Sequence, residues 1–379
     1  HSLRLLYIKN KMRLVLLYLG RRGAGPVYSI EFAQALLEKQ VPILAIVSNY
    51  SGNINEWMLL SRKFRNLSLV TIDTYTNKKD FVIRSLNICL FAKLVRIIRK
   101  YSPDYVFTPM IHPWHNLVIS LLPRKIKIIK VIHDVAPHLG ESNLFSMLMN
   151  KADIFFSDRL VVLSQHSRKE LEKAGIKKNI CIIPHANFSY YSKYNDLATE
   201  RKIYNKVGFF GRINKYKGLD VLLESWGMIK DTNPKLKLLV AGNGDCQEYV
   251  GSFNRYKDSM EICNRWISDE EVAKLLSSVD LIILPYIEAS QSGVIPLAFA
   301  LGKPVVVTNV GGLKEQVPDG CGLIIPPNNP KALSDAICEL YNNPSKILDM
   351  GADARIYAQN VLSWDKSAAI LLDNLNFKK

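Results

Sequence analysis

Leu281-Ile282-Ile283-Leu284-Pro285-Tyr286-Ile287-Glu288-Ala289-Ser290-Gln291-Ser292-Gly293-Val294-Ile295-Pro296 reads as three elements in a row. The unbroken apolar run Leu281–Pro285 is too short for a helix and has the composition of a strand buried on both faces, as parallel strands are. Small polar residues then make a tight turn, and a helix is expected from about Gly293 to Leu301. Gly302-Lys303-Pro304 ends it, and the next strand, Val305–Thr308, begins at once. A strand, a crossover helix and a strand in so little chain specify a parallel sheet, whose ligands bind beyond the carboxyl ends of the strands. Free N–H groups at the helix start, with the helix dipole, suit phosphate oxygens. The plainer alternative is that Ser290 or Ser292 only caps the helix.

The same alternation extends in both directions. Around this stretch lie strands Lys206–Phe210, Leu236–Ala241 and Glu261–Cys263, with helices at Asp220–Met228 and near Asp269–Ser277. Toward the N-terminus the strands are Arg13–Leu19, Pro42–Ser48, Leu67–Ile72, Tyr105–Thr108, Ile128–His133, Arg159–Ser164 and Ile180–Pro184. Helices are expected there at Val27–Lys39, near Phe81–Tyr101 and at His166–Ala174. Between the two series, Asn187–Asn205 turns polar and Tyr-rich; two helices, Pro330–Asn342 and roughly Pro344–Phe377, close the chain. A length of 379 residues fits two domains of average size. The expected fold is α/β, two doubly wound Rossmann-like domains facing across a cleft. Residues 1–190 form the first, 191–205 a link and 206–355 the second, with 356–379 returning as a helix to the first.

Composition narrows the class. No run of roughly 18 uninterrupted apolar residues occurs, so no spanning helix is expected. His1–Lys11 carries scattered charge and no small-residue cleavage site, so no leader is expected, and Met12 is a candidate start. The six cysteines are widely spaced without a CxxC pair, which predicts buried free thiols in a reducing compartment rather than a disulfide or metal framework. Residues 1–190 hold 28 of the 50 basic and 12 of the 34 acidic residues, so the whole net charge of +16 lies on that half. Such a field attracts nucleic acid, an anionic membrane or an anionic substrate.

Three further turns follow strands in the second half. Gly211-Arg212-Ile213-Asn214-Lys215-Tyr216-Lys217-Gly218 brackets two cations, five residues apart, between glycines. A diphosphate needs such cations because charge builds on its oxygens as a sugar–phosphate bond breaks; a solvated basic loop is the alternative. Ala241-Gly242-Asn243-Gly244-Asp245 is a glycine-rich turn, weak evidence by itself. Asn309-Val310-Gly311-Gly312-Leu313-Lys314-Glu315 is another, ahead of an acidic residue.

In order and spacing, these motifs with Cys321–Leu333 resemble family 4 glycosyltransferases, retaining enzymes of the GT-B fold. The likeness is strong from Val207 to Leu333 and loose elsewhere. The resemblance implies that Arg212 and Lys217 clamp the diphosphate of a UDP- or GDP-linked sugar, which is a substrate; no separate cofactor is implied. It implies that the amides of Ser292, Gly293 and Val294 hold phosphate and sugar oxygens, with Ser290 a further donor-site candidate, and that Asn264, Arg265 and Trp266 are candidates to lie against the base. Gly23, Gly211 and Gly242 would border the donor. One departure matters: the family places two Glu residues eight apart, at positions held here by Ala289 and Leu297. Glu288 is one residue off the first and is a candidate catalytic group toward the donor sugar. Ribose recognition has no such substitute.

The acceptor is expected on the N-terminal half. Gly20-Arg21-Arg22-Gly23-Ala24-Gly25-Pro26 resembles the family's N-terminal glycine loop and lacks GxGxxG spacing. Arg21 and Arg22 either form a solvated turn or grip an acceptor phosphate. His133 matches a family histidine that contacts the donor sugar near the reacting carbon, with Asp134 to orient it. His112, Trp114, His115 and His138 are candidates for shaping the acceptor pocket; their spacing does not support zinc. The sequence has no Asp-x-Asp, and Ser268–Glu271 reads as a capping box, so a metal-independent mechanism is expected. Basic and apolar residues alternate over Phe81–Tyr101, as in helices that lie on anionic bilayers. The expectation is a cytoplasmic enzyme, peripheral on the inner face of the membrane, that extends a lipid-linked or otherwise anionic glycan in surface polysaccharide synthesis. Nucleic acid is not an expected partner, because aromatic–basic interleaving is missing. Two rivals stay open: a GT-B nucleotide-sugar epimerase, and a nucleotide-sugar-binding protein without catalysis, which the missing Glu pair permits.

Overall fold

The computed structural model describes residues 12–135, 144–194 and 202–376; His1–Lys11 and His138 lie outside the described residues. Seven strands, β1 (Leu14–Tyr18), β2 (Ile43–Ser48), β3 (Leu67–Ile72), β4 (Tyr105–Thr108), β5 (Lys127–Ile132), β6 (Arg159–Val162) and β7 (Asn179–Ile182), form one sheet in the order 3-2-1-4-5-6-7. Six more, β8 (Lys206–Phe210), β9 (Lys237–Ala241), β10 (Met260–Cys263), β11 (Leu281–Leu284), β12 (Val305–Thr308) and β13 (Gly322–Ile325), form the second in the order 10-9-8-11-12-13. Every strand pairing is parallel. The strands are apolar nearly throughout because helices cover both faces of each sheet.

Both sheets reverse winding at the same point. β1 lies between β2 and β4, and β8 between β9 and β11. The loops after those strands diverge to opposite faces and leave a crevice at their carboxyl ends. Loops 19–23, 211–218 and 285–293 therefore stand at the two crevices by topology alone.

Several elements differ from expectation. The helix expected over Phe81–Tyr101 is two, Lys78–Ser85 and Ile88–Tyr101, because the Asn87 side chain accepts from Leu90 N–H at 3.0 Å and starts a new helix. β13 was not anticipated: four residues on a sheet edge, with one buried position, carry little periodicity. The last helix also breaks, into Pro344–Asn360 and Trp364–Asn376. Ala354 and Ala358 pack in the core of the second domain, whereas Trp364, Leu371 and Leu372 join that of the first. Phe188, Tyr190 and Tyr191 lie in the second core. The chain thus crosses between domains near His185–Phe188 and at Val361–Ser363, and Asn187 ties the crossings together through Leu362 O at 2.7 Å and Ala358 O at 2.6 Å. The cysteines are not uniformly buried: Cys181 and Cys321 are, Cys246, Cys263 and Cys338 are half-buried, and Cys89 is exposed.

Under the first sheet, the Lys130 ammonium is buried. It donates to Asp153 Oδ1 at 2.5 Å and to Asn116 Oδ1, and Asn116 Nδ2 donates to the same carboxylate at 2.7 Å. The trio joins β5 to the helices Pro113–Ser120 and Leu144–Phe156.

Candidate active site

The loop after β8 is zipped to the loop after β9. Gly211 N–H donates to Ala241 O and Ile213 N–H to Asn243 O, both at 3.0 Å. Gly242 sits at φ 151°, and a Cβ there would lie 1.7 Å from Gly211 O, so only glycine permits so close an approach. Arg212 is exposed on this loop. The Lys217 ammonium stands 3.8 Å from the centre of the Tyr286 ring and 4.9 Å from that of Tyr216. Burial opposes its charge, and Arg212 does too, but Tyr286 and Tyr216 outweigh both and raise its pKa above the ordinary lysine value. Lys217 therefore remains cationic at neutral pH. Ile287 N–H donates to Tyr216 O at 2.8 Å, which fastens this loop to the turn that follows β11.

That turn is built differently from the sequence expectation. Ser290 and Ser292 are buried. Ser292 N–H donates to Gln316 Oε1 at 2.7 Å, and Val294 N–H donates to Ser292 Oγ at 3.2 Å. Those two amides are engaged inside the protein, one by the Ser292 hydroxyl and the other by Gln316, and are not held ready for phosphate. Gly293 faces across the cleft, where a Cβ would lie 3.3 Å from His185 Nε2. Ala289 and Leu297, at the family's Glu positions, are buried in the second core. Glu288 is half-buried at the root of the turn.

Beyond β10, Asn264 is committed to Gly244, accepting its N–H and donating to its carbonyl, each at 3.1 Å. Arg265 forks onto Glu271 at 2.5 and 3.1 Å, and this hydrogen bonding is the main reason the Glu271 carboxyl falls to about 2. Both expected base contacts thus brace the loop itself. Trp266 remains 57% exposed and offers its indole face.

On the first domain, Gly23 ends the glycine loop as the N-cap of Ala24–Glu38. Val27 from that helix reaches the second domain's core. Tyr28 stands edge-on to His133 at 5.1 Å and to His185 at 5.4 Å. His133 Nε2–H donates to Pro109 O at 2.9 Å, and burial depresses its pKa against the pull of that bond and of Asp134. The ring is neutral, with Nδ1 unprotonated. Asp134 is itself exposed. His185 was not anticipated; its Nδ1–H donates to Ala186 O at 3.0 Å, and burial pushes its pKa to about 4. Its only sequence signal was its place at the end of the Ile180–Pro184 strand. Helix start, His133, His185 and Gly293 thus converge between the domains.

The expected acceptor pocket is corrected. Trp114 is fully buried, donating to Ser85 Oγ at 2.8 Å, and His115 is buried with Nε2 accepting from Leu19 N–H at 3.2 Å. His112 is buried too, capping its helix through Trp114 N–H at 3.2 Å, with its pKa held near 3 by burial and then by Arg21. All three side chains are thus packed inside the first domain, and His115 holds the foot of the glycine loop at Leu19. Arg21 lies over Tyr75, 4.4 Å from the ring centre, and donates to Thr76 O at 2.8 Å; Arg22 is exposed.

Comparison with known proteins matches this architecture. Residues 26–186 match the model described as Glycosyltransferase Family 4, and residues 204–343 the model described as Glycosyl transferases group 1. An uncharacterized glycosyltransferase of Methanocaldococcus jannaschii is 29% identical over 213 residues, covering 55% of this chain and 57% of that protein. A D-inositol 3-phosphate glycosyltransferase of Corynebacterium aurimucosum is 27% identical over 290 residues, covering 70% of this chain and 65% of that protein. The chain spans about half the length of the curated relatives it matches. Among solved structures, HepE of Anabaena in complex with UDP and glucose superposes with a TM-score of 0.70 at 17% identity, over 96% of this chain and 99% of that chain. The two facing Rossmann-like domains are the GT-B arrangement of glycosyltransferases.

Proposed function

We propose that this chain, a family 4-like glycosyltransferase of GT-B fold by sequence and architecture, moves a sugar from a nucleotide diphosphate to a glycan acceptor with retention and without a metal. The observation that carries this is Lys217, held against Tyr286 at the root of the turn that leads to Gly293, with Gly293 close to His185 and His133 beside it. Arg212 and Lys217 would take up the charge that grows on the leaving diphosphate. The Gly293 amide and the neutral His133 and His185 would face the sugar, and Trp266 would stack on the base. The leaving phosphate would accept the acceptor's proton, so the bond forms on the face from which the old one breaks. Glu288 would contact the donor sugar from the turn's root. The test is donor consumption and product anomer by NMR, with a UDP- or GDP-sugar and a membrane extract as acceptor source, in EDTA. An inverted anomer, or turnover that EDTA abolishes, would refute the mechanism.

We propose further that the acceptor is a lipid-linked or otherwise anionic glycan met at the inner membrane face, in surface polysaccharide synthesis. Among the described residues, no helix is long and apolar enough to cross a membrane. Yet Ile83, Leu86 and Ile88 are 69%, 77% and 80% exposed where the helix breaks, beside exposed Lys79, Lys93 and Arg96. Leu121, Leu144 and Phe145 are exposed on the neighbouring helices that pack alongside. Apolar side chains ringed by cations suit an anionic bilayer. Changing Ile83, Leu86 and Ile88 together to Ser should weaken binding to vesicles containing phosphatidylglycerol at least about tenfold, since each inserted side chain contributes on the order of 1 kcal/mol. The melting temperature should hold. Unchanged vesicle binding in sedimentation would count against this face.

A further inference from the structure

The glycine turn ahead of Glu315 has a use that sugar transfer alone does not explain. Glu315 belongs to the second domain, but its carboxylate accepts the N–H groups of Gln165 and His166, at 2.7 and 3.0 Å, at the start of the first domain's helix Gln165–Lys173. Free amides at a helix start need acceptors, and here the other domain supplies them. The next residue, Gln316, faces the opposite way. It accepts from Ser292 N–H at 2.7 Å and donates to Ser292 O at 3.0 Å, holding both main-chain polar groups of that residue. Both side chains rise from one short 3-10 turn, Lys314–Gln316. The segment before it is wedged in place. A Cβ on Gly311, at φ 47°, would lie 1.6 Å from Ala289 O, and one on Gly312 would lie 2.3 Å from Ser290 O and 2.9 Å from Ser164 Cβ. Ser164 Oγ in turn donates to Ser290 O at 3.1 Å. A cavity of 440 Å³, lined in part by Ser164, Gln165, His185, Ile295, Glu315 and Gln316, adjoins the contact and leaves room for it to move.

We propose that Glu315 and Gln316 are positioning residues that make the shape of the Ser290–Gly293 turn depend on domain closure, an inference that rests on reading that turn as part of the donor site. When the domains part, Glu315 leaves the helix start, the 3-10 turn is released, and Gln316 loses its grip on Ser292. By linkage, donor binding favours closure to the same extent that closure favours binding.

The test combines small-angle X-ray scattering with calorimetric titration of UDP and GDP, on the full chain and on Glu315→Ala, Glu315→Gln, Gln316→Ala and the double alanine variant. Without nucleotide, Glu315→Ala should have a larger radius of gyration than the wild type and should contract when nucleotide is added. Its affinity should fall about tenfold, because binding must then supply closure. Gln316→Ala should stay compact and lose a similar factor, and the double variant should lose little more than either single, since both act on one turn. Glu315→Gln, which keeps the shape and one acceptor oxygen, should fall between the wild type and Glu315→Ala and covers the case of a poorly folded alanine variant. Scattering from both Glu315 variants identical to the wild type, or losses that simply multiply, would overturn the proposal. A wild type that binds neither nucleotide would defeat the donor reading and the coupling with it, while scattering still reports whether Glu315 holds the domains together.

Discussion

Replacing Lys217 with alanine should reduce nucleotide-sugar turnover by at least about 100-fold, equivalent to about 2.7 kcal/mol of transition-state stabilisation. The ammonium lies against Tyr286 and Tyr216 with its pKa raised, so it is charged throughout the neutral range and needs no proton uptake to serve. Charge fixed before the reaction stabilises a leaving diphosphate without reorganisation, and a void left by alanine cannot replace it. The fold should survive, because a lost cation–aromatic contact costs only about 0.5–2 kcal/mol. A melting temperature within a few degrees of the wild type, with turnover nearly gone, is the expected pair of results. Lys217→Ala turnover within threefold of the wild type would remove Lys217 from the site.

The second large effect concerns stability. Asp153→Ala should destabilise the first domain by about 3–5 kcal/mol, because Lys130 would be left charged, buried and without its carboxylate. Burial already lowers the Lys130 pKa, and Asp153 opposes that fall. A double variant, Asp153→Ala with Lys130→Met, should recover much of the loss, since an apolar replacement needs no counter-charge. The measure is the urea midpoint of the first domain's transition. Equal destabilisation in single and double variants would mean that packing, not charge, dominates at this site.

How much could be read from sequence depended on whether a signal was local. β11, its turn and its helix were legible because composition changes sharply at each junction, and strand order then placed the loop after β8 beside it. The break at Asn87 is also local, but one capping side chain inside an apolar run is a weak mark. His112, Trp114 and His115 could not be assigned correctly, since a polar or aromatic residue after a strand looks the same whether it lines a pocket or supports a loop. Only the contacts with Leu19, Tyr75 and Ser85 distinguish the two. The partners of Asn264 and Arg265, Gly244 and Glu271, were not legible either, being supplied by folding. Glu315 and Gln316 were least legible. Their partners, Gln165, His166 and Ser292, stand on another domain and another loop, and no periodicity connects them.

If the crevice beside β8 holds a diphosphate by protein cations, nucleotide binding there needs no metal. Calorimetric titration of UDP and GDP in EDTA, into the wild type, Lys217→Ala and Lys215→Ala, tests it most directly. Lys215 is exposed on the same loop, two residues away, and controls for loose charge. One of the two nucleotides should bind saturably at a single site in EDTA, at least about tenfold more weakly in Lys217→Ala and unchanged in Lys215→Ala. Equal affinity in all three proteins, or binding that appears only when a divalent cation is restored, would contradict it.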